Sequence, residues 1–329
     1  VTGTVLVTGG AGYIGCHLVR QLSEQNVDVI VLDDLSTGKA ERVLNTRLVI
    51  GSTSDRRLVS DVISRFGIDT VVHMAARTDA AGSTRDPLGY YEENTSSTLS
   101  LLACCGQSGV SKFILTSTAA VYGSAGNKQF VDENCSTEPI NPYGMSKLMA
   151  ERFLRDASRA SDLRYVALRC FNVAGASAIG PVFVSADNAG NLITSACRVA
   201  TGKQDAVTIF GSDFSTPDGT GVRDYIHVDD IVTAHMRAIH HLNDGGRSLI
   251  LNCGRGRGYS VREVLCAVER ASGVEIPIIE APKRDGDVSI LVADSTSIRK
   301  ELSWSPLHHD LEFIVRSALR SEQGFNYEQ

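Results

Sequence analysis

A short β-branched run, Thr4–Thr8, opens directly into Gly9-Gly10-Ala11-Gly12-Tyr13-Ile14-Gly15 and then into an amphipathic stretch. Glycines at 9, 12 and 15 let the chain turn with φ > 0, bring bare backbone against a ligand and seat the next helix close on the strand. The helix start then offers unpaired N–H groups and a positive dipole end, which suits a pyrophosphate. A second run, Val29–Asp33, ends in a carboxylate 21 residues beyond Gly12, close to the ~20 expected of a dinucleotide-binding βαβ unit. An acid there accepts hydrogen bonds from ribose hydroxyls and repels a 2′-phosphate, so NAD is expected rather than NADP.

The alternation continues. Arg47–Ile50, Thr70–Met74, Lys112–Thr116 and Arg164–Arg169 read as strands, and Gly12–Glu24, Asp55–Phe66, Pro87–Gln107 and Pro142–Ala160 as helices between them. Parallel strands need such crossovers, so the fold class is α/β, a Rossmann-type doubly wound parallel sheet. Beyond Phe171 the character changes. Residues 172–191 and Gly211–Val222 are rich in small and polar residues, as substrate-binding loops often are. Helices are expected at Leu192–Thr201, Val228–Leu242, Val261–Ser272 and Leu311–Glu322. The division follows: an NAD-binding domain over 1–175, with a strand and a helix returning to it from about 225–245, and a smaller C-terminal substrate-binding lobe over 176–329.

With 32 basic and 38 acidic residues the net charge is −6, so nothing advertises nucleic acid or an anionic membrane as a partner. Apolar runs are too short to span a bilayer. The chain enters its first strand without a basic n-region, and its eight cysteines form no CxxC and no metal spacing with histidine. A cytoplasmic protein with reduced thiols and no metal is expected.

Asn141-Pro142-Tyr143-Gly144-Met145-Ser146-Lys147 reads as a helix start, with Asn as N-cap and Pro at the first position. Tyr143 and Lys147 then share a face. A nearby ammonium, together with the positive charge of an oxidised nicotinamide, favours phenolate and makes the tyrosine a usable base. Upstream, Ser117-Thr118 follows a strand, where ligands bind in parallel sheets. A hydroxyl there can share a proton with Tyr143; Thr118 is the first choice and Ser117 the second. His73, on the fourth strand, reads as structural rather than as a general base.

Together, TGGAGYIG at 8–15, DDLSTG at 33–38, VVHMAA at 71–76, STAAVYG at 117–123 and NPYGMSK at 141–147 resemble the extended short-chain dehydrogenases. RCFNVAGA at 169–176 and GTGVRDYIHVDD at 219–230 are similar to the UDP-glucose 4-epimerases of that group. The resemblance implies a homodimer that holds NAD, oxidises C4 of a UDP-hexose, turns the 4-keto sugar over and returns the hydride. It places Gly9, Gly12, Tyr13, Ile14, Gly15, Asp33, Asp34, Leu35, Ser36, Thr37 and Gly38 at the adenosine and pyrophosphate, and Ser52 and Thr53 at the adenine. Met74, Ala75, Ala76, Thr78, Asn94, Thr116, Tyr143, Lys147 and Phe171 would line the rest of the cofactor. For the UDP-sugar it implies Thr118, Asn172, Asn191, Leu192, Phe210, Arg223, Arg284, Asp287 and Leu291. The subunits would pair through Pro87–Gln107 and Pro142–Ala160.

The chain departs from the pattern at three places. Gly51-Ser52 replaces a Gly-Asp beside the adenine, Thr78 stands where some members carry Lys, and residues 177–190 do not follow the usual loop. Leu291 stands where many epimerases have Tyr beside the sugar C2 substituent, which implies room for an N-acetyl group. Nucleotide-sugar dehydratases and decarboxylases share the fold and the Tyr/Lys pair but need an acid or base directly after the hydroxyl residue. Ala119-Ala120 occupies that place, and methyl groups move no protons. Two alternatives remain: another nucleotide-sugar epimerase or oxidoreductase of the same fold, acting on a UDP-N-acetylhexosamine or a UDP-uronate, and a non-catalytic NAD-binding protein, which has no need of Thr118, Tyr143 and Lys147 together.

Overall fold

The computed structural model describes residues 3–43, 45–124, 128–177, 191–284, 287–308 and 310–324. Its strands, in chain order, are β1 Thr4–Thr8, β2 Asp28–Asp33, β3 Arg47–Ile50, β4 Ile68–His73, β5 Lys112–Thr118, β6 Arg164–Cys170, β7 Asn172–Ala174, β8 Val207–Phe210, β9 Val222–His227, β10 Leu249–Cys253, β11 Gly258–Ser260, β12 Ile278–Ala281 and β13 Ile290–Leu291. The main sheet is parallel throughout, in the order β10-β6-β5-β4-β1-β2-β3. Strand order reverses between β1 and β4. A ligand crevice forms at such a switch point, beyond the carboxyl ends of the strands.

Both faces of this sheet are covered. Helices Tyr13–Glu24 and Val228–Asn243 lie on one, closing a core that includes Val5, Val7, Leu18, Val31, Leu168, Ile231 and Leu251. Helices Arg56–Phe66, Ser97–Gln107 and Pro142–Ala160 cover the other, over Leu6, Ile30, Val71, Phe113 and Ala167. A separate core joins helices Leu192–Ala200, Val261–Ser272 and Leu311–Gln323 to β8 and β9. Beside it, β9 pairs with β11, β13 and β7, and β8 with β12. Among the described residues no helix is long and apolar enough to cross a membrane.

Local sequence explains the element starts. Asp55 Oδ1 accepts from the Leu58 N–H and Asn141 Oδ1 from the Gly144 N–H, while Ser260 and Glu263 form a reciprocal capping box. Several elements differ from the sequence reading. The strand that returns to the main sheet is β10, Leu249–Cys253, beyond the expected return at about 225–245, while β9 pairs in the lobe sheet and only helix Val228–Asn243 of that stretch covers the main sheet. β5 runs to Thr118 rather than Thr116, so both candidate hydroxyls belong to the strand end itself. The expected single helix Pro87–Gln107 is three pieces: Pro87–Tyr90, a π-helical segment Tyr91–Ser96, and Ser97–Gln107. The wider turn lets the Asn94 amide take the Arg77 N–H (2.8 Å), donate to the Arg77 carbonyl (3.0 Å) and donate to Ser146 Oγ (3.1 Å). Hydrophobic periodicity carries no trace of that side-chain bargain.

Candidate active site

The glycine turn is built as tightly as its sequence demands. Gly9 has φ +69°, and a Cβ there would lie 2.6 Å from the Ala75 nitrogen; one on Gly15 would lie 2.3 Å from the Gly9 carbonyl oxygen. Gly12 opens helix Tyr13–Glu24 with no side-chain cap, leaving its first-turn N–H groups for a ligand. Ile14 packs on the core below, and the Tyr13 hydroxyl donates to the Gly175 carbonyl, tying the turn to the chain after β7.

Asp33 is buried at the end of β2, accepting from the Ala11 and Leu35 N–H groups, each at 2.9 Å. Burial raises its pKa and those two hydrogen bonds oppose the rise. Each oxygen keeps a lone pair for a ribose hydroxyl. Leu35 adopts φ +61°, Asp34 Oδ1 accepts from the Ser36 N–H and hydroxyl, and Gly38 packs against Asp33 and Ala11, with Ser36 and Thr37 exposed. Thr53 is buried, whereas Ser52 Oγ is engaged by Ser54. Met74 and Ala75 sit against Gly9, Ala76 is half-buried and Thr78 is exposed. An uncapped glycine-lined helix start beside a buried, hydrogen-bonded aspartate fits a dinucleotide.

The candidate acid–base residues meet at the end of β5. Helix Pro142–Ala160 brings Tyr143 to Thr118, whose hydroxyl also accepts from the Ala120 N–H at 3.2 Å. Burial pushes the Tyr143 phenol up to about 12, against a lowering hydrogen bond from Thr118. Lys147 is buried too, which brings its ammonium down to about 8. Its Nζ donates to the Thr116 carbonyl at 3.0 Å. The expectation that this ammonium lowers the phenol therefore gives way to desolvation, which penalises the charged form of both groups. Thr116 Oγ1 pairs with His235 Nε2 at 2.8 Å.

Ser117 is not brought to Tyr143. Its hydroxyl donates to Glu151 at 2.6 Å, because successive side chains on a strand point to opposite faces. His73 spans two hydroxyls, Nδ1 to Thr8 at 2.7 Å and Nε2 to Thr98 at 2.8 Å, and burial lowers it to about 3, in keeping with a structural role.

On the lobe side the structure gathers Phe210, Arg223, Arg284 and Asp287. Arg284 Nε meets Asp287 Oδ2 at 3.0 Å and its guanidinium lies 4.6 Å over the Phe210 ring. Arg223 Nη1 donates to the Val222 carbonyl at 2.9 Å; burial, joined by the Arg284 charge, lowers its pKa. Leu291 is the register partner of Arg223 and packs with Ala119, Tyr122 and Phe171. Asn172 is exposed on β7. The Asn191 amide is occupied, capping the helix that begins at Leu192 and donating to the Val173 carbonyl at 2.8 Å. Residues 178–190, the greater part of the loop that departs in sequence, lie outside the described residues.

Residues 5–254 match the NAD dependent epimerase/dehydratase family. The chain belongs to that family. Within this epimerase/dehydratase group, a UDP-glucose 4-epimerase of Azospirillum brasilense is 45% identical over 97% of this chain and 92% of its own length. The solved UDP-glucose 4-epimerase of Stenotrophomonas maltophila, with bound NAD and formylated UDP-arabinopyranose, superposes at a TM-score of 0.92, with 36% identity and 98% of each chain covered. The UDP-Glc/GlcNAc 4-epimerase of Campylobacter jejuni gives 0.85 and 41%, covering 98% of this chain and all of that one.

The sequence reading of this epimerase/dehydratase site did not include Glu151, Arg169, Tyr122, Asn252 or His235. One signal was present: Glu151 stands four residues after Lys147, on a helix face otherwise committed to the core. His227, Asp229 and His308 also cluster, their ligand atoms within 4.8 Å of one another. Here the His227 and His308 rings pack at 4.4 Å beside Phe313, and both His227 nitrogens already have hydrogen-bond partners, Ser317 Oγ and the Asp229 N–H.

Proposed function

We propose that this chain interconverts UDP-glucose and UDP-galactose by NAD-dependent 4-epimerisation. The observation that carries the reading is Tyr143 against Thr118 at the end of β5, on the same crevice as the glycine turn, with Ala119 and Ala120 following where an eliminating enzyme needs an acid or base. NAD, when bound, supplies the hydride acceptor and a positive charge that favours the phenolate. Gly9, Gly12 and Gly15 admit its pyrophosphate, and Asp33 takes its ribose hydroxyls.

Tyr143 Oη takes the proton of the sugar 4-hydroxyl as C4 is oxidised and returns it when the carbon is reduced on its other face. The Thr118 hydroxyl, fixed by the Ala120 N–H, donates to the phenolate and keeps it aimed. Lys147 stabilises the same end of the strand through Thr116. Arg223 and Arg284 grip the diphosphate, since planar guanidinium forks match phosphate oxygens. An anion there also relieves the repulsion between the two cations. Asp287 takes the uridine ribose, Phe210 the uracil side, and Asn172 and Leu192 the sugar–phosphate end. These last belong to the lobe over 176–329 and its approach, while residues 1–175 hold the cofactor.

Leu291 leaves the wall beside Ala119 and Phe171 lower than a tyrosine would, so UDP-N-acetylglucosamine is a further substrate. The Campylobacter jejuni relative, named for both sugars, supports that breadth. Two copies pair through Pro87–Gln107 and Pro142–Ala160, where Leu88 and Leu99 are 78% and 53% exposed. All eight thiols are free, which suits the cytoplasm.

The test is incubation of the purified protein with UDP-glucose, UDP-galactose and their N-acetyl forms, after measuring the nucleotide it releases on denaturation. NAD at one equivalent per chain and interconversion without added cofactor are expected. Stoichiometric consumption of added NAD would overturn the reading. Light scattering at micromolar concentration checks the dimer, and a monomer refutes it.

A further inference from the structure

A row of buried polar side chains crosses the sheet one residue before Thr118. Ser117, Arg169 and Asn252 are register partners on β5, β6 and β10, so their side chains share one face. Ser117 is 2% exposed, Arg169 4% and Asn252 not at all. Polar groups buried this deeply are costly unless each finds a partner.

Glu151 supplies most of the partnering. Its Oε1 accepts from Ser117 Oγ at 2.6 Å and from Arg169 Nε at 3.0 Å, and its Oε2 from Arg169 Nη2 at 2.7 Å. The third guanidinium nitrogen, Nη1, donates to the Tyr122 hydroxyl at 3.0 Å, which in turn donates to Asn252 Oδ1 at 2.6 Å. Asn252 Nδ2 donates to the Val131 carbonyl at 2.8 Å. The row is thus a closed network rather than a set of isolated contacts.

Its position matters more than its strength. Glu151 stands eight residues after Tyr143 and four after Lys147, on one helix face and about 12 Å along the axis from Tyr143. Ser117 is covalently next to Thr118. The Ser117–Glu151 hydrogen bond therefore joins the strand that carries Thr118 to the helix that carries Tyr143. The Lys147 contact to Thr116 joins the same two elements one helical turn away, so rotation of the helix about either tie is blocked by the other. Tyr122, held by Arg169, closes the turn after Thr118 that supplies the Ala120 N–H.

We propose that Ser117 and Glu151 are positioning residues, which through their mutual hydrogen bond set the height and rotation of the Tyr143 helix so that the Thr118 hydroxyl meets the phenol. Arg169 braces Glu151, and none of the three touches a reacting atom. The turnover arm of the test rests on the epimerisation reading; the titration arm does not.

Ser117→Ala removes the tie and leaves the Glu151–Arg169 pair in place. In the NAD-loaded protein, the ultraviolet phenolate signal of Tyr143 is isolated by subtracting that of Tyr143→Phe. It is expected to titrate about one pH unit higher in Ser117→Ala than in wild type, a tenfold loss of phenolate below that range. The kcat for UDP-hexose epimerisation should fall about tenfold with it, because the rate follows the base form, while KM stays within about twofold. Ser117→Thr keeps the hydroxyl and should return both. Glu151→Gln, which weakens the same tie from the helix side, should shift the titration in the same direction.

An unmoved titration and kcat in both Ser117→Ala and Glu151→Gln, with only a lower melting temperature, would make the row a stabilising element and overturn the proposal. Wild-type protein that turns over no UDP-hexose refutes the epimerisation reading instead, and the titration still decides the positioning role.

Discussion

Gly15→Ala adds one carbon at the point where helix Tyr13–Glu24 meets the strand it follows. That Cβ would stand 2.3 Å from the Gly9 carbonyl oxygen and 2.7 Å from Gly10 Cα. Ordinary non-bonded contacts lie near 3.5 Å, so the helix start must retreat by about 1 Å. The obstructing atoms are backbone and cannot swing aside. Overpacking of this kind costs about 1–3 kcal/mol, with the upper end expected against backbone. Alanine recovers about 1 kcal/mol of helix propensity over glycine, leaving a net loss near 2 kcal/mol.

Cofactor retention should suffer separately. A retreat of that size lengthens each N–H contact to the pyrophosphate, and every ~1.4 kcal/mol lost is a tenfold weaker hold. Gly273→Ala is the matched control. Gly273 ends helix Val261–Ser272 at φ +72° with open space around it, so a Cβ there costs about 1–2 kcal/mol of backbone strain and touches nothing near the crevice. Urea denaturation should show both variants destabilised, and nucleotide release should show NAD lost from Gly15→Ala alone. Full NAD content and wild-type stability in Gly15→Ala would refute the close-approach argument.

Other outcomes follow from the same structure. Tyr143→Phe removes the proton acceptor and keeps the ring, so kcat should fall by about 10²–10⁴ with UDP binding nearly unchanged; a variant retaining half the wild-type rate excludes Tyr143 as the base. His73 and His235 are held neutral by burial, down to about 3 and about 4. Unfolded histidine titrates near 6.5, so between these values the unfolded chain binds more protons. Stability is full above about pH 6.5 and falls as pH drops through that window, by about 2 kcal/mol per histidine at pH 5. Urea midpoints equal at pH 7.5 and pH 5 would contradict this. Leu291→Tyr should lower kcat/KM for the N-acetylated sugars relative to the plain hexoses, at a packing cost of about 1–3 kcal/mol, since Leu291 is only 8% exposed. An unchanged ratio shows that Leu291 does not guard the C2 side.

The sequence determined the parts of this protein whose physics is local. A glycine turn needs glycine because no side chain fits its backbone, and alternating strands and helices leave a parallel sheet as the way to pair them. Asp33 could be placed by counting, because a βαβ unit has a nearly fixed length. Tyr143 and Lys147 could be placed on one face by helical spacing alone. The tertiary structure decided what depends on partners distant in the chain. Whether Ser117 or Thr118 faces Tyr143 turns on where β5 ends and which face each residue takes. The direction of the Tyr143 and Lys147 shifts depends on burial, which outweighs the charge that spacing suggested. The π-helical segment at Tyr91–Ser96 exists because Asn94 reaches Arg77 and Ser146, and Asn191 is taken up in capping a helix rather than left open. Ser117, Arg169 and Asn252 are 52 and 83 residues apart along the chain, and only sheet register sets them in one row under Glu151.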